Sequence, residues 1–301
     1  LAVSLRSSIA KRRSHLNAAL ALISLKVDMS KKVLEINYLH NLCEQIKIES
    51  DPVKIREKLA YILEFYDVIN YNYSYSSAIW RGRLCNDQAG YSNISEVGYP
   101  PKEFTPANRL NEPNAPLLYS SINQYAILDE IGATEGSYVH MLAYTSLKDA
   151  PLRMGIIGDI AHTHRWGNSM SSDYVGEQLR RIMGEMSPEV GRSYVYTDAF
   201  LSSILQDPKA SETNYLHSRI LASLLFEKQN NLDGIVYPSV ALDRSMNFAI
   251  KPSSVDQKLE KSATFVVKVK KKFNYGIYDM EIVRGADGHQ FNGDIVWRNE
   301  C

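Results

Sequence analysis

The stretch Leu232-Asp-Gly-Ile-Val-Tyr-Pro-Ser-Val240 reads as a short apolar strand that is halted by a proline and then presents a serine. A brief apolar run bounded by Gly and Pro fits a buried strand better than a helix. The proline withholds a ladder donor and sets the direction in which the chain leaves the sheet. A hydroxyl placed there stands at a sheet margin, a place where folds commonly hold functional groups.

Working outward, the runs Ala78-Ile-Trp80, Pro116-Leu-Leu-Tyr119, Met154-Gly-Ile-Ile157 and Thr264-Phe-Val-Val-Lys-Val269 have the same texture, with Pro, Gly and Asn between them. Helical patterns interrupt at Gln124 to Ile131, Val175 to Met186 and Tyr215 to Gln229. From Ala78 onward this mixture suits a mixed α/β or α+β domain. Lys258 to Lys272 is basic with valines inside it, and reads as a solvated edge strand whose lysines discourage further pairing.

Residues 1–72 read instead as a helical N-terminal domain. Leu34, Leu39, Leu42 and Ile46 recur at helical spacing, as do Ile55, Leu59, Ile62, Leu63 and Tyr66. Between them, Ser50-Asp51-Pro52 is a helix start: a capping side chain, then a proline where its missing N–H costs nothing. The polar, tyrosine-rich segment Asn70 to Ser77 breaks the pattern and reads as a linker packed on the second domain. No Lys or Arg interleaves those tyrosines, so base stacking is not indicated.

The chain has 301 residues and a formal net charge of zero, which argues against bulk nucleic acid or an acidic membrane as its main partner. Cys43, Cys85 and Cys301 are scattered and odd in number, which suits a reducing, cytoplasmic setting. Arg6, Lys11, Arg12 and Arg13 precede the apolar run Leu16 to Leu25 somewhat as in a signal peptide, but Lys26 and Asp28 follow at once without a small-residue cleavage site. No apolar run approaches the roughly 20 residues a spanning helix needs.

Four places could carry chemistry. Arg81 follows a short strand, and a guanidinium there could fork onto a phosphate, or be an ordinary surface arginine. In the proline-punctuated segment Asn108 to Ser121, Arg109 and Asn111 precede Tyr119, a ring that could stack on a planar ligand or fill a core. Asp129 and Glu130 are adjacent on a helix, so only one can face inward; Glu130 sits between Ile127 and Ile131. The fourth is the opening stretch with Ser239, followed by Asn247-Phe-Ala-Ile-Lys-Pro252.

The order Arg81, Arg109-x-Asn111, Leu118-Tyr119-Ser120-Ser121, Glu130, Asp233-Gly-Ile-x-Tyr-Pro-Ser239 and Asn247 with Pro252 resembles the RES family, named for its arginine, glutamate and serine. The resemblance spans about residues 78–260 and weakens between about 140 and 210. It implies an α+β, ADP-ribosyltransferase-like fold with a mixed β-sheet core over residues 78–301 and an activity on NAD as substrate; no metal is expected. Members are typically toxins that degrade NAD by hydrolysis or phosphorolysis and are silenced by an Xre-type antitoxin or immunity protein; at least one kind transfers ADP-ribose to protein. By position, Glu130 would steady the ribosyl cation, Arg81 would hold the pyrophosphate with help from Arg109, and Tyr119 would stack on nicotinamide or its ribose. Asn111 and Asn247 join the NAD-binding set, and Ser239 would bond the nicotinamide amide or align Glu130. Asn108-Arg109 stands where the family often has Gly-Arg. The helical residues 1–72 lie outside the usual short toxin and suit oligomerisation or inhibition.

Two other readings compete. His162-Thr-His164 after a strand-like run would place both rings on one side of an extended strand, as in some metal hydrolases, but Arg165-Trp166-Gly167 follows where a further Asp-His is needed. From another class, the RES-like portion could be an inert interaction module.

Overall fold

The computed structural model describes residues 32–73, 77–242 and 245–298. The basic and apolar segment at residues 6–28, on which the leader-like reading rested, lies outside them, as does Cys301. Two helices open the described chain, α1 (Ile36–Ile48) and α2 (Pro52–Glu64). The Asp51 side chain accepts from Val53 N and Pro52 occupies the first turn, as the start signal predicts.

The remaining elements, in chain order, are β1 (Ile69–Tyr73), β2 (Ile79–Cys85), β3 (Leu118–Ser121), α3 (Gln124–Glu130), β4 (Tyr138–Ser146), β5 (Leu152–Ile156), α4 (Asp159–Trp166), α5 (Asp173–Glu185), α6 (Pro188–Leu205), α7 (Leu216–Lys228), β6 (Gly234–Pro238), β7 (Met246–Ile250), α8 (Pro252–Lys258), β8 (Leu259–Lys272), β9 (Tyr278–His289) and β10 (Ile295–Trp297). The fold is α+β, with a mixed sheet in the order β1-β5-β6-β7-β3-β2-β4-β8-β9-β10. Among the described strands only β5 and β6 run parallel, and four helices from α4 to α7 make the long crossover that such a pair requires.

Three expectations are corrected. Where a packed linker is expected, Ile69–Tyr73 forms an edge strand of the sheet paired with β5, with Tyr71 and Tyr73 buried; residues 74–76 lie outside the described residues. Alternate tyrosines supply a buried face while the asparagines between them look outward, a period of two that composition alone disguises. The expected boundary at residue 72 therefore falls inside a strand. Second, β8 is not an edge; it pairs with β4 on one side and β9 on the other, and Val266, Val267 and Val269 are buried. Third, His162 and His164 lie on α4, where residues two apart diverge around the axis, so they do not share a side. Among the described residues no group of three or more His, Cys, Asp or Glu could hold a metal ion.

The helices preceding β1 share the main core with the rest of the chain. Leu39, Cys43, Ile46, Ile55, Leu59 and Ile62 are fully buried, and α1 packs on α6 while α2 packs on α7. His217 Nε2 lies 2.8 Å from Ile46 O, and Tyr66 OH donates to Asp198 Oδ1 at 2.8 Å. On the opposite face of the sheet, Val139, Met141, Val267 and Val269 pack beneath α3 in a smaller core. No helix among the described residues is long and apolar enough to cross a membrane.

A buried carboxylate pair ties the crossover together. Asp159, 1 % exposed, accepts from Ser169 Oγ and Met170 N, and the Asp198 carboxylate is close enough to be felt. Burial raises the Asp159 carboxyl from its ordinary 3.8 to about 6, against the hydrogen bonds that favour its charged form. The folded chain thus holds this proton more tightly than the unfolded chain. Its stabilising contribution is complete below about pH 4 and is lost as pH rises through about 6. Relative to Asp159→Asn, the wild type should lose about 2–3 kcal/mol of stability between pH 4 and 7, measured by urea unfolding. A pH-independent difference between the two proteins would contradict this.

Candidate active site

The sheet is least continuous between β2 and β3, which share a single pair, Trp80↔Ser121. Beyond it the strands part, and a cavity of about 300 Å³ opens in the gap. Arg81 and Gly82 line it from β2, Tyr119 and Ser120 from β3, and Ile127 and Glu130 from α3. Tyr237 of β6 and Asn247 of β7 close the far side, and the loop 100–111 supplies a wall.

Glu130 reaches the cavity because α3 is short and sharply ended. Asn123 caps its start by accepting from Tyr125 N. At its end Ala133 N bonds Leu128 O, and Gly132 takes the left-handed conformation (φ 66°) that stops the helix. Asp129 and Glu130, about 100° apart around the axis, separate as expected. Asp129 faces the β8–β9 hairpin, accepting from Tyr278 OH at 2.5 Å and pairing with Lys272 at 2.9 Å. Glu130 faces the gap.

A carboxylate at a helix C-terminus meets the negative end of the helix dipole, so it needs donors. Two are provided to one oxygen: Ser239 Oγ donates to Glu130 Oε1 at 2.7 Å and Asn247 Nδ2 at 2.6 Å. The serine's direction is set by its own turn. Ala241 N and Leu242 N both donate to Ser239 Oγ at 3.1 Å, which leaves the single hydroxyl proton for the carboxylate. The strand that ends Tyr-Pro-Ser therefore holds the glutamate, and Ser239 stands behind Glu130 instead of lining the cavity. Glu130 Oε2 has no protein partner among the described residues.

Gly82 explains how closely α3 can approach. A Cβ there would lie 2.5 Å from Ile127 Cγ2, 3.2 Å from Met141 Sδ and 3.3 Å from Val139 Cγ1. Gly82→Ala should therefore lift α3 from β2, costing about 1–3 kcal/mol of stability. The same shift should displace Glu130 from its place beside Ser239 and Asn247. A variant as stable as the wild type would show that α3 is free to relax.

Across the gap, Arg81 Nη1 donates to Tyr119 O at 3.3 Å, and no carboxylate pairs with the guanidinium among the described residues. Burial lowers the guanidinium's pKa, though arginine stays charged. Its Nε is buried without a partner. Tyr119 is held by its hydroxyl, which accepts from Leu110 N at 3.0 Å and donates to Asn111 Oδ1 at 2.8 Å. Asn111 in turn donates to Pro106 O and Glu112 O, so it braces both the loop and the tyrosine.

Of the sequence-derived set, Arg81, Tyr119, Asn111, Glu130 and Asn247 line one cavity. Arg109 does not. Its Nη1 donates to Leu205 O at 2.8 Å and Asp207 O at 3.0 Å, and its guanidinium stacks 5.6 Å from the Tyr215 ring centre. It closes the C-terminus of α6, where free carbonyls attract a cation. The phosphate-assisting role expected of it finds no support in this placement, since Arg109 is engaged at the end of α6 and does not line the cavity. Sequence reasoning also passed over Gly82, Thr105, Asn108 and Tyr237 as lining residues. Tyr237 stood inside the opening stretch, whose alternation could have placed it beside Asn247; Thr105 and Asn108 come from a loop with no periodic signal.

No family model matches this chain, and neither does any curated protein or solved structure.

Proposed function

We propose that this cleft binds NAD and cleaves the bond between nicotinamide and ribose, in an ADP-ribosyltransferase-like domain of RES type. The observation that carries the reading is Glu130: one oxygen is pinned by Ser239 and Asn247 while the other is free in a cavity that also holds the unpaired Arg81 guanidinium. Breaking the C1′–N1 bond sends its electron pair to the nicotinamide nitrogen and leaves positive charge on the ribose. A preorganised carboxylate stabilises that charge where it develops, which is the differential binding catalysis needs. Arg81, lining the same cavity, suits the pyrophosphate, and the braced Tyr119 ring suits a flat partner.

The acceptor is water, giving ADP-ribose and a proton, or inorganic phosphate, giving ADP-ribose 1″-phosphate. Incubation of the purified chain with NAD, with and without phosphate, followed by anion-exchange chromatography, tests both. Release of nicotinamide supports the reading; NAD left intact under both conditions overturns it.

A further inference from the structure

Three buried donor groups converge beside the gap without acceptors. They are Arg81 Nε, Ser120 Oγ and Tyr144 Oη. The strand register explains their meeting. Since Trp80 pairs with Ser121 in antiparallel strands, Arg81 and Ser120 face each other one step further on, where pairing has stopped. Arg81 also pairs with Leu142 and Ile79 with Tyr144 across β2 and β4, so Tyr144 is Arg81's diagonal neighbour on the same face. Ser120 is 2 % exposed and Tyr144 1 %, and Arg81 and Ser120 both line the cavity. The Asp256 carboxylate, close enough to Tyr144 to be felt, is occupied by Tyr99 OH at 2.9 and 2.8 Å.

Buried polar groups are nearly always satisfied, and a hydroxyl left without a partner destabilises the chain that carries it. The common requirement of these groups is an acceptor, and with a guanidinium among them the acceptor of choice is an anion. We infer that Ser120 is a ligand-binding residue, sharing with Arg81, and backed by Tyr144, one anionic oxygen group of the substrate. Naming that group as a phosphate of a diphosphate ester rests on the NAD reading above. Ser120 acts in binding and touches no reacting atom.

The test is calorimetric titration of the full chain with inorganic pyrophosphate, comparing wild type with Ser120→Ala. The expected result is a Kd raised about tenfold or more in Ser120→Ala, with an unchanged or higher Tm, because the variant removes an unsatisfied group. The KM for NAD should rise in step while kcat holds. A purely structural hydroxyl predicts the reverse, a lower Tm and an unchanged Kd. Should Ser120→Ala fail to fold, Ser120→Cys keeps the volume with a much weaker donor and should show the same loss of affinity. Wild type that does not bind pyrophosphate, or Ser120→Ala that binds it equally well, overturns the inference. Pyrophosphate binding through Ser120 in a chain that leaves NAD intact would keep the subsite and overturn the NAD reading alone.

Discussion

On the proposed NAD-cleaving reading, Glu130→Gln should lower nicotinamide release from NAD by about 10²- to 10³-fold while leaving Tm within a degree or two. The amide keeps an oxygen able to accept from Ser239 Oγ and Asn247 Nδ2, so the hydrogen bonds that hold the side chain survive. What is lost is the negative charge facing the cavity, and charge is the quantity that matters as the ribose turns cationic. The loss should fall on kcat and kcat/KM alike, since the interaction belongs to the transition state. A variant that keeps more than a tenth of wild-type turnover would remove Glu130 from the mechanism. One that loses activity together with several degrees of Tm would mark it as a structural residue.

Asp198→Ala should lower stability by about 3–5 kcal/mol. The carboxylate is fully buried and joins three parts of the fold. It accepts from Tyr66 OH at 2.8 Å, from Gly158 N at 2.8 Å and from Ala161 N at 2.8 Å. Burial raises its pKa, opposed by those same donors. Truncation leaves a tyrosine hydroxyl and two backbone N–H groups in the core without acceptors. Such a loss is a large part of the 5–15 kcal/mol that typically holds a domain together, so much of the variant should be unfolded at 37 °C. Equilibrium urea unfolding reads the effect, and a midpoint shift equivalent to less than about 1 kcal/mol would show that water or a neighbour replaces the carboxylate.

The two expectations concern opposite ends of one arrangement. Pro238 and Ser239 leave the sheet beside α4, where a Cβ on Gly158 would lie 3.0 Å from Pro238 Cγ. Gln206, at the end of α6, donates to Ser239 O at 3.3 Å. The crossover helices thus support the turn that aims Ser239 at Glu130. Tyr66 ties α2 to the same helices, which gives the N-terminal helices a structural reason to be present whatever else they do.

The local features were legible in the chain itself. The cap at Asp51, the strand ending in Pro238, the apolar faces of α1 and α2 and the divergence of Asp129 from Glu130 all follow from periodicity, capping and backbone restriction acting within a few residues. Misreadings occurred where a distant partner outweighed local texture. Ile69–Tyr73 looks polar, yet it pairs with β5 because the sheet offers an edge there. The lysines of β8 look like an edge device, yet β9 covers it. Arg109 stands in a motif with Asn111, but the end of α6, far along the chain, supplies the carbonyls that claim it.

Residue types alone left Arg81, Tyr119, Glu130, Ser239 and Asn247 open to ordinary readings, and only their order, through its resemblance to the RES family, placed them on one roster. Their arrangement came from contacts between residues as much as 117 positions apart, as between Glu130 and Asn247. Only the assembled sheet could decide that β2 and β3 separate after one pair, that Gly82 admits α3, and that Ser239 steadies the glutamate from behind. Such choices depend on which surfaces are left to meet once the sheet has formed, and no stretch of chain carries that information alone.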